Sequence, residues 1–97
     1  MAKGYWMSAY REIIDADKLA AYVALAATAV QGNGGRFLVR GGQMQPKEDA
    51  VAERTVLVEF DSYEQALAVY ESPAYQEALK ALDGGVVRDL RIVEGVD

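Results

Sequence analysis

The stretch Gly34-Gly35-Arg36-Phe37-Leu38-Val39-Arg40-Gly41-Gly42 decides which fold the rest of the chain can adopt. Five residues stand between two glycine pairs, and this arrangement predicts a short strand over 36–40 that is bounded by turns. A second run, 54–60, is rich in the β-branched and aromatic residues that favour strands. Because a single polar loop separates the two runs, we expect them to pair as an antiparallel hairpin.

The segment before this hairpin predicts a strand followed by a helix. Residues 4–14 alternate with the period of two that is typical of a strand, which places Trp6, Ser8 and Tyr10 on one face. Asp15 then offers an N-cap, and a glycine-rich turn ends the helix near Val30. The apolar stripe of this helix is predicted to consist of Leu19, Tyr22, Val23, Ala26 and Val30.

The segment after the hairpin predicts a broken helix and a last strand. Ser62 and Gln65 have the spacing of a capping box, and Ser72 followed by Pro73 restarts the helix. A final strand is predicted over 86–93. The sequence therefore predicts one domain over residues 1–97, an α+β fold of the ferredoxin-like β-α-β-β-α-β type, with a four-stranded antiparallel sheet and its helices on one face.

A sheet of this kind has one face without helices, and this face predicts self-association. We expect Leu38 on that face between Arg36 and Arg40, and we expect Phe37 and Val39 to point toward the helices. Open apolar sheet faces are rare in monomers. The sequence thus predicts a homodimer in which two sheets pair as a dimeric α+β barrel. The uncharged back of the first helix either allows a higher oligomer or is an alanine-rich surface; it is formed by Ala20, Ala21, Ala24, Leu25 and Thr28.

Composition excludes several classes of function. The net charge is −5 and no basic run occurs, so we expect no nucleic-acid partner. No apolar run approaches the ~20 residues that span a bilayer, so we expect no membrane partner. Cysteine and histidine are absent, which removes the commonest metal ligands and fits a cytoplasmic location. The glycine pairs lack nucleotide-binding spacing, and we expect no cofactor.

Two arginines are the first candidates for a ligand-binding site. Arg36 and Arg40 stand four apart on a predicted strand and would share a face. Such a pair of fixed cations could hold a carboxylate or an enolate. The alternative is a cross-strand ion pair, for instance with Glu59 on the neighbouring strand.

Three aromatic residues are the second group of candidates. Trp6 could form a wall against a planar ligand, and Tyr22 and Tyr75 could line a pocket between the helices and the sheet. Tyr75 also lies beside the Ser72–Pro73 break, where a helix end opens toward the sheet. The alternative for all three is packing in the core.

Several motifs together resemble a known family. They are Lys3-Gly4-Tyr5-Trp6, the stretch 34–42, Val58-Glu59-Phe60-Asp61-Ser62, Ser72-Pro73-Ala74-Tyr75-Gln76 and Ile92-Val93-Glu94-Gly95. They look like the domain of unknown function numbered 1330. The resemblance implies a dimeric α+β barrel and no settled activity. The chain departs from the pattern at Asp83, where similar chains more often carry an arginine, so the resemblance does not imply an anion-holding role at this position.

Two functions remain open from the sequence. In the first, each subunit binds a small organic ligand, anionic or aromatic, in a pocket, with Arg36 and Arg40 supplying charge. In the second, the domain is a non-catalytic structural or regulatory dimerisation module. Whether the protein is an enzyme does not follow from its residues. Related barrel families include monooxygenases, isomerases, dehalogenases and heme-binding enzymes, but a shared fold does not fix an activity.

Overall fold

The secondary-structure elements follow one another in the predicted order. The computed structural model describes residues 2–97. The elements are β1 (Gly4–Ile13), α1 (Ala16–Gly32), β2 (Arg36–Arg40), β3 (Thr55–Phe60), α2 (Tyr63–Tyr70), α3 (Pro73–Leu82) and β4 (Val86–Glu94). The strands form one antiparallel sheet in the order β2-β3-β1-β4. The predicted ferredoxin-like α+β fold is thereby confirmed.

The helices begin where the sequence provides caps. The Asp15 carboxylate accepts hydrogen bonds from the backbone N–H groups of Asp17 and Lys18 at the start of α1. Ser72 caps α3, whose first residue is Pro73, so the predicted break between α2 and α3 is confirmed. Proline suits this position because the first N–H groups of a helix have no partner inside it.

The helices cover one face of the sheet, which we call the inner face. Trp6, Ser8 and Tyr10 of β1 lie on it and are buried, as their alternation predicts. The buried core between this face and the helices is made of Trp6, Tyr22, Ala26, Ala29, Val30, Val58, Phe60, Ala66, Val69, Tyr75, Ala78 and Leu82. Burial of these apolar groups is the main stabilising contribution to the fold.

A β-bulge in β2 corrects one prediction. Arg36 lies opposite Glu59, whereas Arg40 lies opposite Val56, and the register shifts between Phe37 and Val39. Because the bulge adds one residue to β2, the two arginines point to opposite faces of the sheet. The prediction that they share a face is therefore wrong, since strict alternation holds only without a bulge.

The other side of the sheet, which we call the outer face, has no helix on it within residues 2–97. Met7 and Val93 are 49% and 36% exposed there. Val39, opposite Leu57, is 41% exposed. Val39 therefore does not point toward the helices as predicted, because the bulge reverses its direction. The open, partly apolar face that the sequence predicts is present.

None of the helices within residues 2–97 combines the length and the apolar character needed to cross a lipid bilayer.

Candidate functional site

A cavity lies between α1 and the inner face, and we call it the α1–sheet cavity. Its volume is about 40 Å³. Its polar lining residues are Ser8, Tyr10, Tyr22, Arg40, Arg54 and Arg88. Its apolar lining residues are Trp6, Val23, Ala26, Ala27, Val30, Phe37, Val56, Val58 and Leu90. Among residues 2–97 no carboxylate belongs to this lining, so the cavity combines positive charge with an apolar wall.

Arg88 is the central charged residue of the cavity. It stands on β4 opposite Tyr10 of β1, and its side chain points toward the helices. Its guanidinium donates hydrogen bonds to the hydroxyl oxygens of Tyr10, Tyr22 and Tyr75, with lengths of 3.3, 3.0 and 3.2 Å. Within residues 2–97 no ion pair joins Arg88 to an aspartate or a glutamate. Its charge is thus solvated by three neutral hydroxyls and by the faces of the Tyr10 and Tyr22 rings.

The tyrosine hydroxyls stabilise the charged form of Arg88. Burial alone would lower the pKa of the guanidinium, but the hydroxyls of Tyr22 and Tyr75 outweigh that effect, and the pKa lies above its ordinary value. Arginine in any case remains protonated at physiological pH. The cavity wall therefore carries a permanent, partly desolvated positive charge.

Two further polar atoms at the cavity lack partners. Ser8 Oγ and Arg54 Nε are buried and make no hydrogen bond within the part of the chain that the structure describes. Arg54 comes directly before β3, and its backbone carbonyl accepts a hydrogen bond from the Tyr10 N–H group. Because buried polar groups are nearly always hydrogen-bonded, these two atoms are positioned to bind a polar group that enters the cavity.

The structure separates the two predicted arginines. Arg36 lies on the outer face, where its guanidinium donates to Glu59 at 3.0 Å and to Asp61 at 3.1 Å. This is the cross-strand ion pair that the sequence offered as the alternative. Arg40, on the inner side, lines the cavity while remaining exposed, and its guanidinium carbon lies 4.4 Å from the centre of the Phe37 ring.

The three predicted aromatic residues meet in one cluster. Trp6 lines the cavity, donates its indole N–H group to the Ala66 carbonyl at 2.9 Å, and packs 4.7 Å from the Tyr75 ring centre. Tyr22 lines the cavity, whereas Tyr75 is fully buried behind it. The two hydroxyl oxygens are 2.6 Å apart. Burial raises the pKa of Tyr75 well above its ordinary value, so its hydroxyl stays neutral.

Neither Arg88 nor Arg54 was predicted as a site residue from the sequence. A signal for Arg88 existed, because it alternates with Leu90 and Ile92 and so falls on the apolar, buried side of its strand. A charged residue in that position must either pair or serve a ligand. No comparable signal marks Arg54, which stands at the boundary between a polar loop and a strand. Within residues 2–97 no group of three or more acidic side chains could hold a metal ion.

The fold and the cavity together define a small α+β protein with a ferredoxin-like sheet and a positively charged cavity beneath its first helix. Comparison with protein families agrees with the resemblance seen in the motifs. The chain belongs to the family described as Domain of unknown function (DUF1330), whose model matches residues 3–96. No curated protein matches the sequence.

Solved structures share the fold at low identity. The methylated RPA0582 protein, described as a protein of unknown function from Rhodopseudomonas palustris, has a TM-score of 0.75 and 17% identity over 99% of this chain and 82% of its own. SnoaB, a cofactor-independent oxygenase from Streptomyces nogalater, has a TM-score of 0.65 and 10% identity, covering 100% and 96%. A dimeric ferredoxin-like protein of unknown function from Thermobifida fusca has a TM-score of 0.61 and 13% identity, covering 98% and 92%. These likenesses show the fold alone.

Proposed function

We propose that the protein binds a small organic anion, with a carboxylate as its charged group, in the α1–sheet cavity. The observation that carries this proposal is Arg88, a half-buried cation that has no carboxylate partner within residues 2–97. Withdrawing a charge from water without supplying a counter-charge costs free energy, even when the withdrawal is partial. A bound anion would supply that counter-charge, and it would also give Ser8 Oγ and Arg54 Nε the partners they lack.

The cavity size and lining narrow the class of ligand. One water molecule needs about 10–15 Å³ of such space, so 40 Å³ suits a ligand of a few heavy atoms. The aliphatic and aromatic wall favours an apolar body next to the charged group. A short-chain monocarboxylic acid such as propionic acid has both features, and a longer body would have to extend past Arg40 at the exposed side of the cavity.

Binding, rather than a reaction, is the function that these residues support. The lining offers hydrogen-bond donors, but within the part of the chain that the structure describes it contains no carboxylate or histidine that could accept a proton near neutral pH. SnoaB is described as a cofactor-independent oxygenase. Its likeness to this chain supports a shared fold and does not extend to an oxygenation step.

We further propose that the protein is a homodimer whose two sheets pair through the outer face. This face exposes Met7, Val39 and Val93, and apolar faces of this kind commonly mark interfaces. The neighbour from Thermobifida fusca is described as dimeric. Each subunit would keep its own cavity, since the cavity lies on the helix side of the sheet.

We also propose a cytoplasmic location, which the absence of cysteine supports.

A ligand titration tests the binding proposal. Thermal unfolding is measured with sodium propionate and with sodium chloride at equal ionic strength. A ligand at 100 times its dissociation constant adds about 2.7 kcal/mol to the free energy of unfolding, which raises the melting temperature by about 10–20 °C for a domain of this size. Propionate should therefore stabilise the wild type, whereas Arg88→Met should show no such shift. Arg11→Met, at an exposed arginine outside the cavity lining, is the matched control and should behave like the wild type.

The same titration separates the two candidate functions. If propionate, acetate and benzoate all fail to stabilise the wild type beyond the chloride control, the binding proposal is wrong. The second candidate, a non-catalytic structural or regulatory dimerisation module, is favoured by the open outer face and would then stand alone.

Sedimentation velocity at micromolar concentration tests the dimer. Met7→Glu on the outer face should convert the dimer to monomer, because it places a charge within the apolar interface. Leu25→Glu on the back of α1, at a side chain of similar exposure, should remain dimeric. A monomeric wild type would refute the proposed pairing, and a wild-type tetramer that Leu25→Glu reduces to a dimer would show further association through α1.

A further inference from the structure

The Tyr75 hydroxyl has one acceptor for its proton within residues 2–97. Its oxygen lies 2.6 Å from Tyr22 Oη and 3.2 Å from an Arg88 nitrogen. Arginine has only donors to offer, so the Tyr22 oxygen is the acceptor. Tyr75 is fully buried. A buried hydroxyl that donates to no acceptor destabilises the protein by the full free energy of its desolvation. Tyr75 therefore donates to Tyr22, and not the reverse.

This direction decides where the Tyr22 proton points. The Tyr22 oxygen accepts one hydrogen bond from Tyr75 and a second from Arg88 at 3.0 Å. A phenol oxygen that accepts twice still has its own proton to place. No acceptor for that proton exists within the part of the chain that the structure describes, and Tyr22 lines the α1–sheet cavity. The proton must be donated into the cavity.

We infer that Tyr22 determines ligand specificity by donating a hydrogen bond to a carboxylate oxygen of the bound ligand, and that Tyr75 is the positioning residue that fixes this direction. The inference rests on the proposed function, because it concerns the same cavity. Ser8 and Arg54 add donors whose atoms also lack partners. Every polar group left over in the cavity can thus donate, although the Ser8 hydroxyl can also accept. The site therefore suits a ligand with at least two acceptor oxygens.

The donor-rich lining gives a selectivity that size alone would not. Propionamide has nearly the shape of propionate, but its NH₂ group would face the N–H and O–H groups of the cavity. Two donors that face each other leave both unpaired, and sites built for hydrogen bonding reject such analogues strongly. We expect propionate to bind at least 100-fold more tightly than propionamide.

Isothermal titration with [1-¹³C]propionate tests the inference. Tyr22→Phe should weaken binding by about 10- to 100-fold, since a hydrogen bond to a charged group is lost. In ¹³C NMR spectra, the chemical shift of the carboxylate bound to Tyr22→Phe should also differ from that bound to the wild type, in the direction expected for a carboxylate with fewer hydrogen bonds. Tyr75→Phe keeps the Tyr22 hydroxyl and should weaken binding by less than about tenfold. Tyr70→Phe, whose hydroxyl does not line the cavity, is the matched control and should bind like the wild type.

The outcomes separate this inference from the proposed function. If the wild type does not bind propionate, the proposed function fails. If the wild type binds, but Tyr22→Phe binds equally well with an unchanged carboxylate shift, only the role of Tyr22 is refuted. Should Tyr22→Phe fail to fold, the wild type labelled with [ζ-¹³C]tyrosine replaces it. The Tyr22 signal should then shift on binding more than the Tyr75 signal does, and a Tyr22 signal that stays constant would overturn the inference.

Discussion

Replacing Tyr75 with phenylalanine should destabilise the protein far more than the loss of one oxygen atom suggests. The hydroxyl donates to Tyr22 at 2.6 Å and accepts from Arg88 at 3.2 Å. A neutral hydrogen bond contributes about 0.5–1.5 kcal/mol, and one to a charged group about 1.5–3 kcal/mol. The ring contacts remain unchanged in Tyr75→Phe, so the expected loss in the free energy of unfolding is about 2–4 kcal/mol. For a domain of this length, that lowers the melting temperature by about 10–25 °C.

Tyr70→Phe is the matched comparison for this prediction. The Tyr70 ring lies 5.2 Å from the Tyr75 ring and belongs to the same cluster, but no hydrogen bond of its hydroxyl is found within residues 2–97. We expect Tyr70→Phe to change the free energy of unfolding by less than about 0.5 kcal/mol. Urea unfolding followed by tryptophan fluorescence measures both variants, since Trp6 packs against both rings. Equal destabilisation by the two substitutions would refute the hydroxyl cluster as a stabilising unit.

Three further predictions concern titration and backbone packing. The hydrogen bond from Arg36 lowers the pKa of Glu59 below its ordinary 4.5. The stability that this pair contributes is present above pH 4.5 and is lost as the pH falls through the lowered pKa. Arg36→Gln should therefore raise the pKa of Glu59, as measured by an NMR titration of the carboxyl group. Because burial raises the pKa of Tyr75, wild-type stability should fall as pH rises above 10, and Tyr75→Phe should flatten that decline. Gly4→Ala should cost about 2 kcal/mol or more in urea unfolding, since its Cβ would clash with the Ser62 backbone carbonyl.

Each of these predictions has a control within the chain. Arg11→Gln should leave the pKa of Glu59 unchanged, and an equal shift in both arginine variants would exclude a specific pair. The stability of Tyr70→Phe should still fall above pH 10, as in the wild type. If Tyr70→Phe abolished this fall, Tyr75 would not be its cause. Gly42→Ala adds a Cβ with no atom within 4 Å. Gly42→Ala should therefore leave the free energy of unfolding nearly unchanged. An equally small effect of Gly4→Ala would contradict the packing between β1 and the start of α2.

The sequence sufficed for the fold because its local signals and its global pattern agree. Ser72 with Pro73 predicts the break between two helices, and Asp15 predicts the start of α1; the structure confirms both. Such caps depend on a few neighbouring residues. The bulge in β2 could not be predicted in this way, because it arises from the register of β2 against β3 and leaves no mark within 36–40.

The candidate site was harder to predict because its parts come from distant segments. Tyr22 and Trp6 could be proposed from their positions on apolar faces. The role of Arg88 depends on three hydroxyls that meet only after β1, α1 and α3 have packed together. Arg36 and Arg40 looked like a pair because sequence spacing assumes regular alternation. In a chain without histidine, a lone arginine on the buried side of an alternating strand indicates a binding site better than two arginines at matching spacing do.

A crystal structure of the protein grown with saturating propionate tests the central claim most directly. We expect one carboxylate per chain in the α1–sheet cavity, with an oxygen within about 3.2 Å of Tyr22 Oη and the alkyl group against the apolar wall. Propionate bound only at surface arginines such as Arg36, with water alone in the cavity, would contradict the claim that the half-buried charge of Arg88 binds an organic anion.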